Sequence, residues 1–294
     1  MIARKSIFVF IAAGFILFLC ASGLMAQTSL FEYKEETISI DAGSYKIPAV
    51  VTMPIAKSSK KFPVVIMLHG YGSNKDEAGD GYKLMAPELA KNGIASIRID
   101  FMGCGDSTVD HENFDLNVGV SEAIAAADYA ATLSQINPKK IGIMGWSKGG
   151  SIALLAAGRS SKFKSVVTWA GAPDLGVVYD SESYAIAKQD GVFVATFEWR
   201  EPLKMSLKAF EVAAETDILK VFSGSSAPVL AINGSDDTVV PPENAVNIKA
   251  ASKNKKSQLL LIPGAEHTFN IFSGDMTAFN TLMKETTAWF LKTL

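Results

Sequence analysis

From Val64 onward, short apolar runs alternate with segments of helical period, and this alternation limits the fold more than any other feature of the chain. The runs "VVIMLH" (64–69), "IASIRID" (94–100), "KIGIMG" (140–145), "SVVTWAG" (165–171), "PVLAING" (228–234) and "SQLLLIPG" (257–264) read as buried strands. Helical patterns lie between most of them, at Leu84–Asn92, Val118–Leu133, Gly150–Gly158, Pro242–Ala251 and Ala278–Leu294. Before them, "TISI" and "KIPAVVTM" alternate like an opening β-hairpin. Strands that alternate with helices build a mainly parallel sheet covered on both faces. The predicted class is therefore α/β, and such sheets place their sites at the carboxyl ends of the strands. With 294 residues, 48% of them hydrophobic, one large core and one main domain are the expectation.

One interval breaks the rhythm. Residues 172–227 hold no obvious core strand but carry Tyr179, Tyr184, Phe193, Phe197, Trp199, Phe210 and Phe222. A structureless loop of that length is uncommon in a compact domain, so a helical cap inserted between two strands is predicted there. Its aromatic side chains either pack the cap onto the body or line a substrate pocket.

The N-terminus reads as an export signal over residues 1–26. Arg4 and Lys5 form a basic start, Ile7–Leu19 is a short apolar run, and small residues lead to cleavage after Ala26. The main domain then spans 27–294. Lipid anchoring at Cys20 is disfavoured by bulky Leu19 before it, and the apolar run is short for a membrane span. After cleavage only Cys104 remains, which excludes an intrachain disulfide. The net charge of −2 and the short lysine clusters "KSSKK" (57–61) and "KNKK" (253–256) describe a solvated surface, not a nucleic-acid partner.

The stretch "IGIMGWSKGGSIALL" (141–155) sets Ser147 in a G-x-S-x-G pattern between a strand-like and a helix-like run. That is the context of a nucleophile elbow, in which Gly145 and Gly149 permit a tight turn that lifts the serine oxygen above the sheet edge. A serine hydroxyl needs a base, usually a histidine held by a carboxylate. The chain has three histidines, and in the order serine, acid, histidine only His267 follows Ser147. Between them, "INGSDDTVVP" supplies Asp236 and Asp237 just past a strand.

Together, "HGYG", "GWSKGG", "GSDDTVVP" and "GAEHTF" resemble the α/β-hydrolase superfamily over nearly all of the chain after residue 26. The resemblance implies an α/β-hydrolase fold and selects Asp237, the aspartate of G-x-x-D-x-x-V-P, as the acid. It also implies an oxyanion hole made by the backbone N–H groups of Tyr71 and Lys148, each such donor being worth about 3 kcal/mol in the transition state. His69 is then a residue that orients the loop. The turn "DFMGCGDST", with Asp100, Gly103, Gly105 and Ser107, is architectural. Among relatives, the chain is similar to bacterial cinnamoyl and feruloyl esterases and neighbouring carboxylesterases. Lys148 stands where those often carry glutamine, and Trp146 where they often carry histidine. The Lys148 side chain either faces solvent or attracts a substrate carboxylate.

The resemblance thus implies a serine esterase acting on a small-molecule or saccharide-linked ester through an acyl-enzyme; the export signal makes it secreted, and with no H-E-x-x-H, paired cysteines, Walker or dinucleotide glycine pattern in the chain, no cofactor and no metal are expected. The oligomeric state is left open. Two other classes stay in view: a serine peptidase of the prolyl-oligopeptidase type, which usually carries a large N-terminal propeller, and an inactive binding protein on the same fold. About 35 residues, from Gln27 to Lys61, precede the first core strand, too few for a propeller.

Overall fold

The computed structural model describes residues 30–56, 59–176 and 178–294. The segment expected to be an export signal, with Cys20, lies outside the described residues, as do Lys57, Ser58 and Val177. In chain order, the hairpin β1 (Glu32–Asp41) and β2 (Lys46–Ile55) leads to β3 (Phe62–Leu68), α1 (Gly81–Lys91), β4 (Ala95–Ile99), α2 (Leu116–Thr132), β5 (Ile136–Trp146) and α3 (Lys148–Arg159). After β6 (Phe163–Trp169) come α4 (Ser181–Asp190), β7 (Val192–Ala195), β8 (Leu203–Ser206), α5 (Leu207–Glu215) and α6 (Ile218–Phe222). The chain closes with β9 (Val229–Gly234), α7 (Glu243–Ala251), β10 (Gln258–Ile262) and α8 (Thr277–Thr293).

Eight strands form one sheet in the order β1-β2-β4-β3-β5-β6-β9-β10. The pairs β1/β2 and β2/β4 are antiparallel, and every pair from β4 to β10 is parallel. This is the α/β-hydrolase architecture. Its two cores follow from the two-residue period of a strand. Val64, Ile66 and Leu68 of β3, with Ile141 and Ile143 of β5, meet α2, α3, α6 and α7 on one face. Val65, Met67, Met144 and Trp146 turn to the other face, against α1 and α8. Large side chains buried there, among them Trp146, Trp169, Phe279 and Phe290, each contribute about 1.5–3 kcal/mol of transfer free energy.

The insertion over 172–227 holds α4 and α5 and, beside them, an antiparallel hairpin, β7–β8, which sequence reading did not resolve. Ala187, Ala195, Leu203, Met205 and Phe210 form its own apolar cluster, against which Tyr71 of the body packs. Helix α6 belongs to the body instead, since Ile218 and Phe222 enter the main core. Among the described residues, no helix is long and apolar enough to cross a membrane.

Glu122, on the buried face of α2, accepts the Tyr45 O–H at 2.8 Å and the Met102 N–H at 3.1 Å, joining the hairpin to the loop after β4. Burial raises its carboxyl to about 8. A raised carboxyl favours the folded state while protonated, so this stabilisation is complete below the unfolded value of about 4.3 and is lost as pH rises through the folded one. Between about pH 5 and pH 8 the wild type is therefore expected to lose stability relative to Glu122→Gln, by at most about 1.4 kcal/mol per pH unit. Thermal melts of both proteins across that range check this; parallel curves would remove Glu122 as the source.

Candidate active site

Strand β5 ends at Trp146 and α3 begins at Lys148, leaving Ser147 alone in the turn with φ 52° and ψ −121°. A non-glycine residue there costs on the order of 1–3 kcal/mol and persists only where its surroundings fix it. Here the Ser147 N–H donates to Trp169 O at 2.9 Å, and Ser147 O accepts from Gly150 N at 2.9 Å and Ala172 N at 3.2 Å. The flanking glycines are required by close approach: a Cβ on Gly145 would lie 2.1 Å from Gly149 O, and one on Gly149 would lie 2.1 Å from Leu68 O. The N-terminus of α3, with its positive dipole end, consequently faces the serine.

Asp237 follows β9 and is 3% exposed. Its Oδ1 accepts the N–H groups of Val239 (2.9 Å) and Val240 (2.8 Å), and its Oδ2 accepts from Asn233 Nδ2 at 3.1 Å. The same Oδ2 lies 2.8 Å from His267 Nδ1. With an ionised carboxylate as acceptor, Nδ1 carries the proton and Nε2 is left free as an acceptor. Asp236 is turned away, exposed, and accepts from Ser235 Oγ. The Trp146 indole donates to His267 O at 3.1 Å, and Asp236 N donates to Ala265 O at 3.0 Å. The loops bearing Ser147, Asp237 and His267 are thus tied to one another.

The loop after β3 completes the arrangement. Phe101 N–H donates to His69 Nε2 at 3.0 Å, which leaves His69 Nδ1 to donate to Gly70 O at 2.8 Å. Burial lowers this imidazole to about 4, so it is neutral near pH 7. Across a trans peptide the N–H points opposite to the C=O. Fixing Gly70 O therefore fixes the Tyr71 N–H. No acceptor among the described residues takes the amide N–H of Tyr71 or of Lys148. The cap holds the outer side of this loop: Arg200 donates to Gly72 O at 2.6 Å, and the Tyr71 O–H donates to Met205 Sδ at 2.8 Å. Asp100 accepts from the Lys75 backbone and ammonium, each at 2.7 Å, and from Asp106 N, while Ser107 Oγ accepts from Gly103 N.

The Lys148 side chain does not face solvent. It is 3% exposed, and its Nζ lies 5.0, 4.8 and 5.1 Å from the ring centroids of Tyr71, Phe114 and Tyr179. Burial draws this ammonium down to about 8. The aromatic faces supply the favourable electrostatics that water would otherwise give. His111 is likewise interior, with Nδ1 donating to Lys204 O of β8 at 3.0 Å.

Above Ser147 and His267 opens a cavity of about 760 Å³, walled mainly by apolar side chains, including Trp146, Leu175, Phe197, Trp199 and Phe272. The insertion aromatics divide by role. Phe197 and Trp199 reach the cavity, Tyr179, Tyr184 and Phe193 pack around Phe210, and Phe222 enters the body core. Glu77, which no sequence motif singled out, also lines the cavity and accepts the Gly70 N–H at 2.6 Å. It lies in the polar stretch "GSNKDEAGD", where nothing local separates an inward carboxyl from a solvated one.

The family model described as "Prolyl oligopeptidase family" matches residues 82–294. Over 199 residues the chain is 27% identical to the 2,6-dihydropseudooxynicotine hydrolase of Paenarthrobacter nicotinovorans, covering 66% of this chain and 49% of that protein. The chain spans half or less of the length of the curated relatives it matches. Among solved structures, Est1E from Butyrivibrio proteoclasticus with bound ferulic acid superposes with a TM-score of 0.71 at 22% identity, over 87% of this chain and 98% of that one. The dienelactone hydrolase of Anabaena variabilis gives 0.62 at 20% identity, over 89% and 99%. At these identities, the two structures share a fold with this chain.

Proposed function

The chain belongs to the prolyl oligopeptidase family, and from that premise we propose that it is a serine hydrolase cleaving small carboxylic esters through an acyl-enzyme on Ser147. The observation that carries the proposal is the Asp237–His267 hydrogen bond of 2.8 Å beside a mainly apolar cavity that both His267 and the Ser147 turn line. In the proposed reaction, Ser147 Oγ bonds to the ester carbonyl carbon while its proton passes to His267 Nε2. Asp237 stabilises the resulting imidazolium, and the developing oxyanion accepts the N–H groups of Tyr71 and Lys148. The tetrahedral intermediate collapses, the carbon–oxygen bond to the alcohol breaks, and His267 returns the proton to the departing alcohol. Water, activated by the same imidazole, then releases the acid and restores the serine.

The aromatic walls support an ester whose acyl or alcohol group carries an apolar ring. Such a ring gains about 25 cal/mol per Å² of apolar surface buried, before the costs of ordering. Est1E, with bound ferulic acid in a related fold, is consistent with a cinnamoyl or feruloyl ester, free or linked to a saccharide. The basic and apolar start of the sequence supports export by a cleaved signal over residues 1–26.

A peptidase is the second reading, favoured by the family match itself. Amides demand more of the acid that protonates the leaving group than esters do, so the two readings separate on substrate. Turnover of nitrophenyl acetate and methyl ferulate without turnover of a dipeptidyl anilide is expected. Preference for the anilide would instead assign a peptidase. Failure of a fluorophosphonate probe to label Ser147 would leave an inactive binding protein.

A further inference from the structure

We propose that Glu77 is a positioning residue of the oxyanion hole, its carboxyl gripping the Gly70 N–H and so fixing the loop that carries the Tyr71 donor. The proposal rests on the assignment of Ser147 as nucleophile and of the Tyr71 N–H as oxyanion donor made above.

The backbone is the first ground. Glu77 has φ 64° and ψ 179°, a conformation occupied essentially by glycine and costing another residue on the order of 1–3 kcal/mol. The chain on its N-terminal side is clamped against relaxation. Lys75 pairs with Asp100 at 2.7 Å, Asp76 pairs with Arg98 at 2.9 Å, and Glu77 N donates to Asn74 O at 2.9 Å. Thus held, residue 77 turns its side chain inward. Oε2 accepts the Gly70 N–H at 2.6 Å, and Oε1 accepts the Ala78 N–H at 3.2 Å.

The second ground is what the carboxyl touches. A Cβ built on Gly70 would lie 3.4 Å from Ser147 Cβ and 3.5 Å from Glu77 Oε1, so Gly70 is the spacer between carboxyl and nucleophile. A glycine has no side chain to hold its own orientation. Here both of its backbone polar groups are held from outside, the C=O by His69 and by the Ser73 N–H at 3.3 Å, and the N–H by Glu77. The next N–H along the chain is that of Tyr71. The C=O contacts set the plane of the peptide that carries this amide, and the Glu77 contact sets the peptide before it. With the Gly70 N–H released, the chain can turn about residue 70 and shift the donor, and a misplacement of about 1 Å at such a donor costs on the order of 10²-fold in rate.

Because glycine accepts the backbone conformation of residue 77 without strain, Glu77→Gly removes the carboxyl and leaves the main chain a comfortable path. Expected for Glu77→Gly is a kcat about 10²-fold below wild type, a KM within about threefold, and a Tm unchanged or raised. Glu77→Gln keeps an oxygen able to accept from Gly70 N, and is expected to recover kcat to within about tenfold of wild type. The measurements are steady-state nitrophenyl ester kinetics and thermal melts on all three full-length proteins. Wild-type kcat in Glu77→Gly, equal losses in the two variants, an effect on KM alone, or a loss of Tm that accounts for the lost activity would each overturn the proposal. Absence of Ser147-dependent turnover in the wild type would overturn the nucleophile assignment itself, a distinct result.

Discussion

Ser147→Ala is expected to reduce ester turnover by about 10⁴- to 10⁶-fold, because the members of a serine triad act as a unit and little is left once the nucleophile is gone. What survives is catalysis by binding and by the oxyanion donors, which together exceed the reaction in water by about 10³- to 10⁴-fold in serine proteases. The fold should not notice. Alanine retains the Cβ, so the strained φ of 52° and the hydrogen bonds of the residue 147 backbone to Trp169, Gly150 and Ala172 carry over. A change in Tm of no more than a few degrees is expected for a side-chain deletion of one oxygen at this position. Fluorophosphonate labelling should vanish together with turnover. Wild-type turnover in a pure Ser147→Ala preparation would sink the assignment, whereas loss of both activity and cooperative melting would show only that the turn is needed for folding.

The sheet was legible because its strands are short apolar runs separated by helices of regular period, and each of the six was recovered with boundaries shifted by a few residues. The hairpin in the insertion was not. β7 and β8 are only four residues long: VFVA is apolar throughout, and LKMS, though it alternates, is too short for its period to stand out from its surroundings. Their cluster is completed by Tyr71, from the loop after β3, which no local window contains. The same limit applied to charged side chains. Lys148 reads from sequence as any lysine near a helix start, and its burial depends on Tyr71, Phe114 and Tyr179, residues from three separate segments. Glu77 sits in a stretch of loop formers, and its inward turn depends on clamps from Asp100 and Arg98 at its neighbours. Turn chemistry, by contrast, is local. The turn at Ser147 and the loop carrying Asp236 and Asp237 can be read from glycine spacing and strand ends, while the preference for Asp237 over Asp236 rests on the motif resemblance alone, since the two side chains are chemically identical.

That last distinction gives the second large effect. Asp237→Asn is expected to lower kcat by roughly 10⁴-fold, and Asp236→Asn by less than about threefold. The difference lies in the donors around each carboxyl. Asp237 faces His267 Nδ1, Asn233 Nδ2 and the N–H groups of Val239 and Val240, all of which act as donors toward it. An asparagine there can keep its oxygen on the two backbone N–H groups only by turning its amide toward His267. The amide N–H then donates to Nδ1, the ring proton moves to Nε2, and the base can no longer accept from Ser147. Turning the amide the other way restores the tautomer but sets N–H against N–H at Val239 and Val240, a buried mismatch costing about 1–3 kcal/mol of stability. Asp236 has neither constraint: it is exposed, and an asparagine oxygen accepts from Ser235 Oγ equally well. Steady-state kinetics and melts of both variants decide the matter. Equal losses, or the larger loss at Asp236, would mean that the acid-bearing loop works in a different register from the one described here.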